Sequence, residues 1–273
     1  YLIVTDYNSP DKLIHLFDKN TFEHLASSTY QGQGPDEITI IGHVGIDETN
    51  RRFFVSDHGK LKIFAYDLDS VLTTPEYQPS VKIDMKKKLF PDDYLYLNDT
   101  LCIAKIIEPI GNNDYKPSVA RWNMATGEIN PMPYEYPDLK KVRFIYTASA
   151  EHQLYVQCYT QYDLMTICDF NGNLKCNIYG PKWVNEKTQT QHYSLGVEFC
   201  GDKILALYSG GDHRTDAYYP TKFLVFDLNG NYLKTLETGY MITDFCYDKE
   251  NNRLIINLND EIQFAYLDLE GII

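Results

Sequence analysis

The chain alternates short apolar runs with polar turns from one end to the other, and no stretch keeps a helical period for more than a few residues. Six stretches share one form, an apolar run closed by Asp or Asn, then a turn and a second short run. They are LIHLFDKNTFEHL, LKIFAYDLDSVL, VARWNMATGEI, LMTICDFNGNLKCNI, FLVFDLNGNYLKTL and IQFAYLDLEGII. Their anchors, Asp18, Asp67, Asn123, Asp169, Asp227 and Asp268, stand 49, 56, 46, 58 and 41 residues apart. A solenoid stacks its units by a fixed step and does not tolerate such uneven spacing; blades with loops of variable length do.

A further strand-like run precedes each anchor: YLIVTD, RFFVSD, TLCIAKI, QLYVQCY, KILALYS and RLIINL. The order within a unit reads inner strand, turn, second strand, loop, third strand, turn, outer strand. Asn171-Gly172 and Asn229-Gly230 predict tight hairpins in which both central residues take positive φ. The strands are apolar on both faces: in KFLVFD, Phe223 and Val225 point one way, Leu224 and Phe226 the other. A plain antiparallel sandwich leaves one face polar, whereas locally connected sheets covered on both sides arise when blades pack around an axis. The expectation is an all-β six-bladed propeller of four-stranded antiparallel blades, a single domain over 1–273. Tyr1 falls on a second strand, so blade one lacks its inner strand in this chain, and Ile273 ends just inside the last outer strand.

The stretch QGQGPDEITI, 31–40, joins the first blade's outer strand to the second blade's inner strand. Gly32-Gln33-Gly34 looks like a phosphate loop, but no third glycine opens a helix and no Gly-Lys-Ser/Thr follows. Gly32 and Gly34 permit bends and Pro35 fixes φ, as a rim-to-axis connector requires. From here GQGPDEITIIGHVGIDETNRRFFVSDHGKLKIFAYD is similar to the NHL-type repeat, with Gly45-Ile46-Asp47, Val55-Ser56-Asp57 and Ile63 to Asp67 filling its strand positions. The whole chain resembles the TolB-like six-bladed propellers of secreted or lipid-anchored bacterial proteins, closely over 1–67 and architecturally beyond. That resemblance implies an extracytoplasmic binding or scaffolding domain, periplasmic or at the cell surface, with any lipid anchor upstream of Tyr1.

Charge narrows the partners. Twenty-five basic against thirty-eight acidic residues give −13, which repels nucleic acid and anionic membranes. Lys86 to Lys88 are flanked by Asp84, Asp92 and Asp93 and read as a solvated turn. No apolar run reaches a membrane span. Six cysteines without a CxxC pair read as buried free thiols, with one bridge inside 158–176 left open. A monomer is expected.

Fourteen aromatics fall on the connector side: Tyr7, Tyr30, Tyr77, Tyr115, Tyr134, Tyr136, Tyr159, Tyr162, Tyr179, Trp183, Tyr193, Tyr208, Tyr218 and Tyr219. Over half should seal blade seams; the rest suit a glycan, peptide or protein partner, since Tyr and Trp offer large contact area at small entropic cost. The expected ligand-binding residues are His58, Tyr134, Tyr162, Trp183, Asp212, His213, Arg214, Tyr218 and Tyr219. The last five lie in the insertion YSGGDHRTDAYYPTK, 208–222, with Asp216 beside them, Gly210 and Gly211 as hinges, and Arg214 suited to a carboxylate or phosphate. EPIGNNDYKPS, 108–118, reads as a second loop insertion.

Metal chemistry is weakly signalled. DLNGN and DFNGN begin like calcium loops, but their sixth positions are Tyr232 and Leu174 rather than Gly. No catalytic residue, metal ligand or cofactor is assigned. The alternative is a metal-dependent lactonase-like hydrolase or NHL-like lyase, with Glu37, His43, His192 and Asp244 nearest the axis.

Overall fold

A computed structural model describes residues 1–111, 114–137 and 139–273, and of Asp216 the backbone alone. It is an all-β six-bladed propeller in which every sheet pairs strands adjacent in the chain. Two compact units divide it, Tyr1–Pro131 and Met132–Ile273. The first unit holds a three-stranded sheet, β1 (Leu2–Thr5), β2 (Lys12–Phe17) and β3 (His24–Tyr30). A four-stranded sheet follows, β4 (Ile41–Asp47), β5 (Arg52–Asp57), β6 (Lys62–Asp67) and β7 (Ser80–Asp84), then β8 (Phe90–Asn98), β9 (Leu101–Gly111), β10 (Asp114–Asn123) and β11 (Glu128–Pro131). The second unit holds β12 (Phe144–Ser149), β13 (Leu154–Tyr159), β14 (Leu164–Asp169) and β15 (Leu174–Tyr179), then β16 (Thr190–Cys200), β17 (Lys203–Asp212), β18 (Lys222–Asp227) and β19 (Tyr232–Glu237). Its last sheet has three strands, β20 (Ile242–Asp248), β21 (Arg253–Leu258) and β22 (Phe264–Asp268), so the outer run expected near Ile273 is not a strand.

The two-faced pattern of β18 is used as its sequence demands. Phe223 and Val225 pack with Phe245, Leu254 and Ile256 of the last sheet, while Leu224 and Phe226 pack with Val156, Cys158 and Met165 of the fourth. Burying one such side chain contributes about 1.5–3 kcal/mol, so a sheet covered twice is held from both sides. Inner strands approach where one of them lacks a side chain. A Cβ on Gly45 of β4 would lie 2.4 Å from the Tyr94 ring of β8, and one on Gly196 of β16 would lie 2.7 Å from the Phe245 ring of β20.

Turns between first and second strands repeat one device. In DETNRR, Asp47 is 5% exposed and binds Asn50 Nδ2 at 2.9 Å and Arg52 Nη2 at 2.7 Å. In DKENNR, Asp248 binds Asn251 Nδ2 at 2.7 Å and Arg253 Nε at 3.0 Å. Arg51 and Asn252 take the matching left-handed position at φ 51 and 47.

Several local expectations change. Only Gly172 and Gly230 take positive φ in the Asn-Gly turns; the ladder slips at Ile167/Cys168 and Val225/Phe226, and Asp169 and Asp227 cap Asn173 and Asn231 instead. A glycine-bulge hairpin therefore replaces the two-residue turn. Asp67 does not open a plain turn but caps a short helix, α1 (Leu68–Thr73), its carboxylate accepting the Ser70 N–H at 2.8 Å. The 108–118 insertion is mainly the end of a long β9–β10 hairpin, with Asn112 and Asn113 outside the described residues. The first third of 208–222 likewise continues β17, which leaves Gly210 and Gly211 in a strand rather than at a hinge. The bridge left open inside 158–176 is not made: all six thiols are free, and Cys176 Sγ lies 3.4 Å from Asn229 O. Among the described residues no helix is long and apolar enough to cross a membrane.

Candidate functional site

Buried carboxylates hold the connectors. Asp57, fully buried at the end of β5, accepts the N–H groups of Thr39, Ile40, Gly59 and Lys60 at 2.8–3.1 Å. Lys60 Nζ donates to Glu37 O at 2.7 Å, and the Glu37 carboxylate accepts the Gly34 N–H at 2.6 Å. The opening Gly-Gln-Gly-Pro stretch is thus a clasped connector, and Glu37 is spent on it. Asp163 works similarly in the second unit. Its carboxylate accepts the Lys182 N–H at 2.9 Å, its carbonyl accepts the Gly180 N–H at 2.8 Å, and a Cβ on Gly180 would strike its carboxylate at 2.2 Å. Both clasps take hold of a Gly-Pro sequence.

The Asp163 clasp fixes Trp183. Three loop segments meet there: 132–143 between β11 and β12, 160–163 between β13 and β14, and 180–189 between β15 and β16. Trp183 lies 5.0 Å from Tyr179, 5.8 Å from Tyr136 and 6.3 Å from Tyr162, centroid to centroid. Tyr136 and Tyr179 hydroxyls stand 3.3 Å apart. Tyr162 is buried beneath, donating to Lys140 O at 2.8 Å, and Tyr134 Oη accepts from Asn177 Nδ2 at 2.8 Å. Burial raises the pKa of both tyrosines, so they stay neutral hydrogen-bonding groups. Tyr179 is half exposed, and Tyr136 and Trp183 are partly exposed. The result is a rigid aromatic shelf with fixed polar tips. Expected residues Tyr134, Tyr162 and Trp183 are brought together; Tyr136 and Tyr179, known only as connector-side aromatics, complete it. Tyr159, Tyr193 and Tyr208 are buried and seal seams.

The 208–222 segment docks on the same connector. Lys182 Nζ reaches Gly210 O at 3.4 Å and His213 Nδ1 lies 2.9 Å from Gln189 O. Arg214 does not offer an open fork: Nε and Nη2 bind both Asp212 oxygens at 3.0 and 2.7 Å, and this pairing holds the Asp212 carboxyl well below its usual range. Tyr218 and Tyr219 stack at 4.2 Å. The Asp216 side chain lies outside the described residues.

His58 has neighbours of its own in the first unit. Its ring covers Gly42, where a Cβ would be 2.7 Å away, and tilts against Phe90 at 5.9 Å. A bulge in β4 places His43 Nδ1 2.9 Å from Asp93 Oδ1, beside the Asp92–Lys105 pair at 2.7 Å. Nε2 of both histidines is buried with no hydrogen-bond partner among the described residues. His192, by contrast, is a structural histidine, 3.3 Å from Tyr208 Oη and 3.4 Å from Thr188 Oγ1. Among the described residues no group of three or more His, Cys, Asp or Glu is arranged to hold a metal ion.

No curated protein matches the chain. The extracellular domain of the putative one component system BT4673 from B. thetaiotaomicron superposes with a TM-score of 0.59 at 11% identity, over 98% of this chain and 34% of that one. A DUF4221 family member from Bacteroides vulgatus gives 0.64 at 12% identity, over 98% and 92%. A protein of unknown function from Bacteroides caccae gives 0.56 at 14%, over 98% and 90%. The chain spans about a third of the BT4673 domain's length, and likeness at these identities is one of fold. Residues 1–100 match the model of the DUF5128 family, described as a 6-bladed beta-propeller.

Proposed function

We propose that the chain is an extracytoplasmic recognition domain that binds a glycan on the Trp183 shelf. The observation that carries this reading is the convergence of Tyr136, from the segment before β12, with Tyr179 and Trp183, four residues apart where β15 runs into its connector, backed by buried Tyr162. Pyranose rings pack their C–H faces on exposed indole and phenol rings, and immobile rings lose little entropy on binding. The location outside the cytoplasm is supported by the TolB-like resemblance and by the fold shared with the extracellular domain of a putative one component system. Recognition suits the shelf because its tyrosine hydroxyls are held by neighbours, Tyr136 and Tyr179 standing 3.3 Å apart and Tyr162 donating to Lys140 O.

The test is a glycan array on the purified chain, followed by calorimetry of hits with wild type and Trp183→Ala. Losing a central Trp should weaken binding by roughly 2 kcal/mol, about thirtyfold. Undiminished binding by the variant, or a peptide library giving hits where glycans give none, overturns the reading.

A further inference from the structure

The charge around the shelf is opposite to that of the chain. The three segments that build the shelf, 132–143, 160–163 and 180–189, carry Lys140, Lys141, Arg143, Lys182 and Lys187 against Glu135, Asp138, Asp163 and Glu186, a net of +1 within a chain of −13. Lys182 is the residue before Trp183, and the Lys140 carbonyl receives the Tyr162 hydroxyl, so both backbones are tied to the shelf. Lys140, Lys141, Lys182 and Lys187 are exposed, and none pairs with a carboxylate among the described residues. Several other lysines of this protein find acids, Lys12 with Glu76, Lys82 with Asp99, Lys105 with Asp92, Lys203 with Asp202 and Lys249 with Glu151, while Lys60 and Lys234 reach backbone carbonyls.

Cations concentrated at one spot of an acidic chain make a local positive potential that attracts anions. Ammonium groups on flexible stems suit anions of variable position, as on a polymer, better than a fixed bidentate anion. We infer that the shelf recognises an acidic glycan, a chain whose pyranose faces stack on Trp183 and Tyr179 while its carboxylate or sulfate substituents meet Lys182 and Lys140. This rests on the shelf being a glycan site and adds the class of glycan.

The experiment uses matched pairs in which only charge differs: oligogalacturonate against its methyl ester, and dextran sulfate against dextran, titrated calorimetrically into the whole chain at 20 and 300 mM NaCl. At low salt at least one anionic member should bind ten times or more tighter than its neutral partner, and the gap should close at high salt as screening sets in. Lys140→Gln/Lys182→Gln should shrink the gap between anionic and neutral members to under threefold, and Trp183→Ala should weaken both members. Neutral chains binding as well as anionic ones overturn the acidic specificity and leave the shelf standing. No binding by any of the four chains overturns both. A single-stranded oligonucleotide that binds through the same lysines and outcompetes the acidic glycans also overturns the inference.

Discussion

Gly45 stands where the Tyr94 ring needs room, with the ring edge 2.4 Å from any Cβ that Gly45 could carry. The neighbours cannot yield, because Tyr94 is also wedged edge-on against Trp122 at 5.2 Å and His43 at 4.5 Å. Gly45→Ala should therefore destabilise the chain by about 1–3 kcal/mol, the usual range for overpacking. Gly111→Ala, with nothing within 4 Å, should be near neutral. Urea midpoints of the two variants check this, and Gly45→Ala in a Tyr94→Leu background should lose less.

Asp57 gathers four backbone N–H groups, those of Thr39, Ile40, Gly59 and Lys60, on one carboxylate. Asp57→Ala should cost about 2–3 kcal/mol, since hydrogen bonds to a charged group contribute about 1.5–3 kcal/mol, while the amides of exposed Ile40 and Gly59 can turn to water. Asp57→Asn should cost less because one oxygen remains. Hydrogen exchange should show early loss of protection at Thr39 and Ile40, before the sheets open. Uniform loss across the first unit would contradict the clasp.

Burial holds the imidazoles of His58 and His192 below their ordinary value of 6.5. His58 faces Asp57, Asp92, His43 and Lys105, and His192 faces Asp163 and Lys182, but desolvation outweighs the acids. As pH falls through about 6.5 the unfolded chain takes up protons that the folded chain refuses, so stability is full above that value and declines toward the folded pKa values. Urea midpoints at pH 7.5, 6.5 and 5.5 should fall in that order. His58→Gln should flatten the slope.

The chain has two tryptophans, Trp122 at 2% exposure and Trp183 on the shelf. Acrylamide should quench wild-type emission in two components, and Trp183→Phe should remove the accessible, red-shifted one. A residual Trp122 signal that remains readily quenched would mean that the interface between the second and third sheets is open.

Much of this was legible in the chain. The two-sided apolar runs required sheets packed on both faces, and loop order alone predicted that Tyr134, Tyr162 and Trp183 would share a side. Other features were hidden for physical reasons. A strand that continues past its blade, as β9 and β17 do, shows no break in its pairing partners and so reads as a polar loop. Nothing in local sequence tells which distant amides the Asp57 and Asp163 carboxylates receive; the Gly-Pro pairs at 34–35 and 180–181 were the available hint. The Asp212–Arg214 pair was likewise hidden, because spacing by one residue does not say whether two ions close on each other.

The carboxylate clasp settles where a connector lands and leaves its itinerary open. Display and support are thereby uncoupled: stretches between the anchored amides can lengthen, shrink or be exchanged without retuning the body beneath. An engineer could exploit that tolerance by splicing foreign sequence after Trp183, trusting Asp163 to keep the graft moored.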